Sequence, residues 1–191
     1  MLRRLEELGV TLAPRYLGVD EQGREIFSYL EGEVPDELDA GFGDAALEAA
    51  ARLIRRFHDA TAESPLAERL EVVCHNDLSP CNTVFRAGVP VALIDFDNAA
   101  PGARHDDLGY ALFLWLNIGT DGHDAAEQSR RISVFCDAYG VPANQEIVAA
   151  IASAVTRNIA RLRREGRRSD VEWWHAQVDW VEQHRATLTR S

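Results

Sequence analysis

The apolar positions of the first 35 residues predict a short helix followed by a β-hairpin and a linker. Leucines recur at helical spacing up to Gly9, a residue suited to ending a helix. Two strand-like runs follow, separated by a turn in which Gly23 occupies the position that needs a positive φ. The predicted elements are a helix at residues 2–8, strands at 15–19 and 25–30, and a linker at 31–35.

The middle of the chain combines one amphipathic helix with short apolar strands. Leu47, Ile54 and Phe57 belong to a stripe at three- and four-residue steps, and Asp44 is the predicted N-cap. Glycine and proline between two of the following apolar runs predict a second hairpin. The elements are a helix at about 45–60 and strands at 71–74, 83–86 and 91–95.

From residue 106 onward the pattern is helical, which makes the predicted fold class α+β. Helices are predicted at about 106–117, 124–139, 144–164 and 170–187. The arginines between 157 and 168 are interpreted as a solvated helix face and its loop rather than a binding patch.

Composition narrows the function classes. The chain has 191 residues and a formal net charge of −11, which disfavours nucleic-acid binding and suits a cationic substrate or Mg-nucleotide. The three cysteines are an odd number without a C-x-x-C pair, which argues against a disulfide framework. Neither a signal peptide nor an apolar run long enough for a bilayer is recognisable, so the expected location is cytoplasmic, without membrane association.

Two neighbouring segments carry the candidate chemistry. The segment His75–Asn82 fits the kinase catalytic-loop pattern H-x-D-L-x-x-x-N, and Ile94–Asp97 follows where a kinase keeps its metal-binding D-F-x carboxylate. Phosphoryl transfer needs one carboxylate for the attacking hydroxyl and oxygen ligands for a metal on the phosphates. Asp77, Asn82 and Asp95 supply that set, and the intervening hairpin returns the chain close to its start.

Other interpretations of these residues are weaker. Taken singly, Asp77 and Asn82 are ordinary turn residues. A zinc site using Cys74, His75 and Cys81 lacks regular ligand spacing, and a metal-dependent hydrolase using His75 and Asp77 lacks a second histidine cluster. Asp107 can cap the following helix or brace the Asp77 loop from beneath.

With these motifs in the order found, the chain resembles the aminoglycoside phosphotransferase family, which has a protein-kinase-like fold. The resemblance implies a residual N-lobe with its hinge at residues 1–35 and a helical C-lobe at 36–191. It implies transfer of the γ-phosphate of ATP (or GTP), with Mg²⁺, to a hydroxyl of a small molecule. The implied roles are catalytic base for Asp77, magnesium ligands for Asn82 and Asp95, nucleotide contacts for Phe27, Tyr29 and Leu30, and structural support for His75 and Asp107.

The front of the chain departs from the family. Neither a glycine-rich loop nor a phosphate-binding lysine precedes the hinge, and all 20 basic residues are arginines. Arg3 and Arg4 stand in a helix-like segment, so they are not expected to replace the lysine. The chain is therefore predicted to be an N-terminally shortened member with impaired catalysis. The alternative is a non-catalytic, pseudokinase-like module that binds a ligand or a partner, with a homodimer covering the shortened lobe.

Overall fold

In the computed structural model, which describes residues 1–36, 41–62, 64–120, 124–164, 166 and 168–189, short strands lead into a helical body. The helices are α1 (Leu2–Glu7), α2 (Asp44–Thr61), α3 (Arg104–Leu116), α4 (Ala125–Tyr139), α5 (Gln145–Arg164) and α6 (Arg168–Leu188). The strands are β1 (Tyr16–Val19), β2 (Glu25–Phe27), β3 (Val72–Cys74), β4 (Thr83–Arg86), β5 (Val89–Leu93) and β6 (Ala100–Gly102).

The predicted first hairpin is present, with a shorter second strand than expected. Strands β1 and β2 are antiparallel, and Gly23 in the turn has φ +80°. The Asp20 carboxylate organises that turn by accepting the backbone N–H groups of Gln22 and Arg24, each at 2.9 Å. Beyond Phe27 the pairing is only half made: the Ser28 N–H donates to the Arg15 carbonyl oxygen at 2.9 Å, whereas the Arg15 N–H donates to the Ser28 hydroxyl at 2.9 Å instead of to a backbone carbonyl.

The central strands form two antiparallel pairs, β3 with β6 and β4 with β5. The sequence pattern did not predict β6, because Pro101 lies inside it and proline is uncommon in strands away from edges. Strand β5 starts at Val89 and ends at Leu93, two residues before the predicted end. The chain leaves the strand there because Asp95 adopts a left-handed conformation, with φ +61°.

The helical body is close to the prediction except at one helix start. Helix α2 packs on α4, and α5 packs between α3 and α6. The N-cap of α2 is Gly43, so the prediction of Asp44 as the cap was wrong. Asp44 instead lies in the first helical turn and pairs with Arg130 at 2.7 Å, which ties α2 to α4.

One hydrophobic cluster runs through the described residues. Leu5 and Leu12 from the N-terminal segment are buried in the same cluster as Phe57 and Trp115. The predicted α+β fold class is confirmed, whereas the division into lobes at residue 35 stays a prediction. Among the described helices, none combines the length and apolar character needed to cross a membrane.

Helices α3 and α5 approach each other closely at Gly109. A Cβ at this position would collide with the backbone carbonyl group of Ala150. We expect Gly109→Ala to lower the free energy of unfolding by about 2 kcal/mol in urea titrations, because a backbone atom cannot rotate away from the added methyl group. Gly43→Ala, with open space around its Cβ, is the control and should cost about 1 kcal/mol or less. Equal losses in both variants would contradict the close contact.

Candidate active site

The backbone of the Asp77 loop is held by one buried carboxylate. Asp107, in the first turn of α3, accepts hydrogen bonds from the backbone N–H groups of His75, at 2.6 Å, and Asn76, at 2.7 Å. The side chain of Asp107 is fully buried. Holding two successive N–H groups on one carboxylate fits the left-handed conformation of Asn76, with φ +63°. Asp107 thus occupies the position expected of a brace beneath the loop.

A histidine that the sequence patterns did not assign to the site completes this support. His58 on α2 is buried, with Nε2 3.0 Å from Asp107 and Nδ1 2.7 Å from the Tyr139 hydroxyl. The network is satisfied when Nε2–H donates to Asp107 and Nδ1 accepts from Tyr139. The Asp77 loop is therefore connected through side chains to both α2 and α4. Only a histidine at a helix end marks this role in the sequence, which is too weak a signal to identify it.

His75 lies where the resemblance implies a structural role. Its ring is buried against Phe96, with centroids 4.6 Å apart, and Nε2 lies 3.0 Å from the Ile94 carbonyl oxygen, to which it can donate. Burial lowers the pKa of His75, although the Asp107 carboxylate acts in the opposite direction. The neutral ring thus connects the Asp77 loop to the end of β5.

The β4–β5 hairpin brings the two predicted magnesium ligands together. Asn82 precedes β4, Asp95 follows β5, and the Ile94 N–H donates to the Asn82 carbonyl oxygen at 3.0 Å. The Asn82 side-chain NH₂ donates to the Asp77 carbonyl oxygen at 3.0 Å, which leaves its amide oxygen available.

The donor set at the end of this hairpin fits magnesium. Within the described ranges, no group of three or more His, Cys, Asp or Glu side chains is arranged to hold a metal ion. One carboxylate and one amide oxygen are nevertheless sufficient for Mg²⁺, which usually binds one or two protein carboxylates and completes its shell with phosphates and water.

The predicted hinge residues share a cavity with Asp95. Phe27, Tyr29 and Leu30 line a cavity of ≈640 Å³ together with Ile94 and Asp95. This volume lies in the range of ligand pockets, ~300–1,000 Å³. The cavity therefore joins the end of the first hairpin to the carboxylate that follows the second.

A positively charged side chain also lines this cavity, although the sequence pattern did not assign it to the site. Arg3, on α1, lines the cavity, and its guanidinium carbon lies 5.0 Å from the centroid of the Tyr16 ring. The expectation that Arg3 does not replace the missing lysine stays a prediction, since the helix pattern gave no information about which face of α1 meets the hairpin.

The Asp77 loop borders, through Asn76, a second and smaller cavity of ≈280 Å³, whose lining also includes Tyr110. The Tyr110 hydroxyl is close enough to interact with both the Asp77 carboxylate and the Arg161 guanidinium. Burial raises the pKa of Tyr110, and the nearby Asp77 carboxylate adds to that effect. Tyr110 and Arg161 were missed in the sequence because they are 33 and 84 positions from Asp77 and belong to no motif.

The cysteines next to the motif are not arranged for zinc. Cys74 is buried and its thiol donates to the Ala103 carbonyl oxygen at 3.3 Å, on the side of α3. Burial, reinforced by Asp107, raises the pKa of Cys74 to about 12, so the thiol stays protonated. Among the described residues, no group of three or more His, Cys, Asp or Glu side chains is arranged around Cys74 to hold a metal ion, so the zinc interpretation has no support in the site.

Comparison with known proteins agrees with the motifs. Residues 65–146, which contain Asp77, Asn82, Asp95 and Asp107, match the family model described as "Phosphotransferase enzyme family". The chain is similar to the trifolitoxin immunity protein of Rhizobium leguminosarum bv. trifolii, at 29% identity over 98% of this chain and 85% of that protein.

Solved structures show the same fold at low sequence identity. The GDP and kanamycin complex of APH(2″)-IIIa superposes with a TM-score of 0.56, at 15% identity, over 96% of this chain and 80% of that one. The GDP complex of wild-type aminoglycoside 2′-phosphotransferase-IIIa gives 0.52, at 14% identity, over the same shares of the two chains. The resemblance to the aminoglycoside phosphotransferase family, with its protein-kinase-like fold, is confirmed.

Proposed function

We propose that this chain is a phosphotransferase that moves the γ-phosphoryl group of a Mg-nucleotide to a hydroxyl of a small molecule. One observation carries the proposal. The β4–β5 hairpin places Asn82 and Asp95 at adjoining ends, and Asp95 opens into the cavity that the hinge residues line. The loop bearing Asp77 is bonded to Asn82 and fixed from beneath by Asp107.

The chemistry assigns one task to each side chain. Asp77 accepts a hydrogen bond from the acceptor hydroxyl and takes its proton as the oxygen attacks the γ-phosphorus. The bond from the γ-phosphorus to the bridging oxygen breaks, and its electron pair leaves with the nucleoside diphosphate. Asn82 and Asp95 would hold Mg²⁺, which neutralises phosphate charge when bound. His75 and Asp107 act on the loop backbone and not on the reacting atoms.

The nucleotide would occupy the larger cavity. Phe27, Tyr29 and Leu30 line the part of the cavity that we assign to the purine ring, and Arg3 supplies a positive charge in the same space. Both solved relatives hold GDP, so GTP is tested beside ATP. The proposal includes a cytoplasmic location, because the reaction needs a supply of ATP or GTP.

The non-catalytic binding module is the alternative, and the exposed apolar side chains of the first hairpin favour it. Leu17 is 55% exposed, Val19 60% and Tyr29 84%. A homodimer covering this hairpin belongs to this alternative. Similarity to an immunity protein along 98% of the chain also makes neutralisation of a toxin a candidate role, whether by phosphorylation or by binding.

The test is thermal unfolding with nucleotide in the presence of Mg²⁺ or EDTA. A nucleotide at 100 times its Kd stabilises the folded state by about 2.7 kcal/mol, which raises the Tm by about 5–10 °C in a chain of this size. We expect Asp95→Asn to abolish the Mg²⁺-dependent part of that shift. Asparagine is chosen because it tolerates the left-handed backbone found at Asp95.

The matched control is Glu25→Gln, which removes a carboxylate from another wall of the same cavity. This variant should keep the Mg²⁺-dependent shift. An unchanged shift in Asp95→Asn would remove Asp95 from the metal site. Absence of any shift in the unmodified chain, with both ATP and GTP, would favour the non-catalytic module.

A further inference from the structure

The second cavity differs in charge from the chain as a whole. Three arginines of α5 line it, at positions 157, 161 and 164, against a single carboxylate, that of Asp106. They lie at i, i+4 and i+7 and therefore on one face of the helix. The interpretation of these arginines as a merely solvated face was thus incomplete, since the face borders a cavity next to Asp77.

Two of these arginines have no carboxylate partner among the described residues. Arg157 pairs with Asp106 at 2.9 Å and is thereby neutralised. Arg161 donates to the Asn158 amide oxygen, at 2.7 and 3.1 Å, and Arg164 donates to the Ala160 carbonyl oxygen, at 3.3 Å. Neither contact compensates a charge. Even with the neighbouring Asp77 carboxylate counted, the two guanidinium groups leave a local excess of positive charge beside the cavity in a chain of net charge −11.

Arg161 is oriented by its surroundings. Asn158, which is 6% exposed, receives two of its N–H groups. On the other side, Arg161 lies next to the Tyr110 hydroxyl, which in turn neighbours Asp77. A ligand group bound at Arg161 would therefore lie near Asp77, since the Tyr110 side chain interacts with both residues. This arrangement suits an acceptor with its hydroxyl at Asp77 and a second group at the arginines.

We propose that the acceptor is a small hydroxylated anion, whose carboxylate or phosphate group is bound by Arg161 and Arg164. Guanidinium groups bind both kinds of oxyanion through charge-assisted hydrogen bonds. A polycationic acceptor would be repelled by the same groups. The acidic composition had suggested a cationic substrate. We expect the charged groups next to Asp77 to determine which acceptor binds, because distant surface charges are screened by salt.

The size of the cavity agrees with this class. Its ≈280 Å³ lies just below the usual range for pockets that hold drug-sized ligands, ~300–1,000 Å³, and suits a compact molecule of a few carbon atoms. The inference rests on the proposed function, since the reaction is the same. The hydroxyl oxygen of the anion forms a bond to the γ-phosphorus of the nucleoside triphosphate, its proton passes to Asp77, and the nucleoside diphosphate leaves.

The experiment compares acceptors that differ mainly in charge. Release of nucleoside diphosphate by the full chain is measured with Mg-ATP or Mg-GTP and with glycerol, D-glycerate, glycerol 3-phosphate or kanamycin. Direct binding of all four compounds is measured by calorimetry without nucleotide. We expect at least one anion to bind at least 10-fold more tightly than glycerol and to stimulate release, and kanamycin to do neither.

Substitutions locate the binding group. Arg161→Gln and Arg164→Gln are each expected to weaken anion binding about 10- to 100-fold while leaving the Mg-nucleotide thermal shift unchanged. Arg163→Gln is the matched control, because Arg163 lies on the same helix, is exposed, bonds to His175 and does not line the cavity. It should bind anions like the unmodified chain. Circular dichroism verifies that each variant is folded.

The outcomes separate the two proposals. Anion binding that Arg161→Gln or Arg164→Gln weakens supports the arginine site, even when no nucleotide binds and the phosphotransferase proposal fails. Failure of both anions to bind, equal binding in all variants, or stimulation by glycerol or kanamycin without the anions would overturn the inference. In the last case the phosphotransferase function would stand alone.

Discussion

Replacing Asp77 with asparagine is expected to reduce phosphoryl transfer by about 100- to 10,000-fold, the usual contribution of a positioned general base. The asparagine side chain has nearly the same shape but cannot take up the hydroxyl proton. The Asn82 amide donates to the backbone carbonyl of residue 77 rather than to its side chain, so the loop should keep its conformation. Single-turnover transfer rates and the Mg-nucleotide thermal shift are measured together. The rate should fall while the shift remains.

Asp137→Asn is the control for this experiment, because Asp137 is an exposed residue on α4 that lines neither of the two cavities. It removes the same negative charge and should leave the rate unchanged. A normal rate in Asp77→Asn would show that another group accepts the proton. A simultaneous loss of the nucleotide shift would show that Asp77 contributes to nucleotide binding as well.

Replacing Asp107 with alanine is expected to cost about 3–5 kcal/mol of unfolding free energy, because three donors lose their buried acceptor and each unsatisfied donor costs about 1–3 kcal/mol. The carboxylate is fully buried and serves His58 as well as the backbone N–H groups of His75 and Asn76. Alanine leaves these donors without an acceptor in a space that is closed to water. Urea titration followed by tryptophan fluorescence measures the loss.

The adjacent residue provides a close control. Asp106 precedes Asp107 on α3, but its side chain is about half exposed and pairs with Arg157 at the surface. Asp106→Ala should therefore cost no more than about 1 kcal/mol. If the two variants lose similar amounts of stability, the Asp107 network does not hold the loop. If only Asp107→Ala unfolds easily, phosphoryl transfer measured at low temperature shows whether the loop also positions Asp77.

The sequence was sufficient to predict those helices, strands and turns that are determined by residues close together in the chain. The leucines of α1, the stripe on α2 and Gly23 in the first turn each reflect a rule that acts within a few residues. The spacing within His75–Asn82 likewise predicted the Asp77 loop, because the loop and the hairpin after it are continuous in the chain. Where a proline interrupted the pattern, as in β6, the local rule gave no strand although long-range pairing with β3 forms one.

The parts of the site that depend on packing could not be predicted in this way. His58 meets Asp107 across 49 positions, and Arg161 meets Tyr110 only because α5 packs against α3. Periodicity shows that a helix has a buried face but does not identify the opposing helix. For that reason the face of α5 bordering the cavity was assigned to solvent, and the position of Arg3 in the larger cavity was not predicted.

The two cavities have no lining residue in common, and the Asp77 loop lies at the edge of the smaller one. Neither partner of the reaction would have to pass through the space of the other. Donor and acceptor could then load in any sequence and be present together, and the phosphoryl group would pass directly between them. A covalent intermediate in which the protein itself is phosphorylated would be unnecessary.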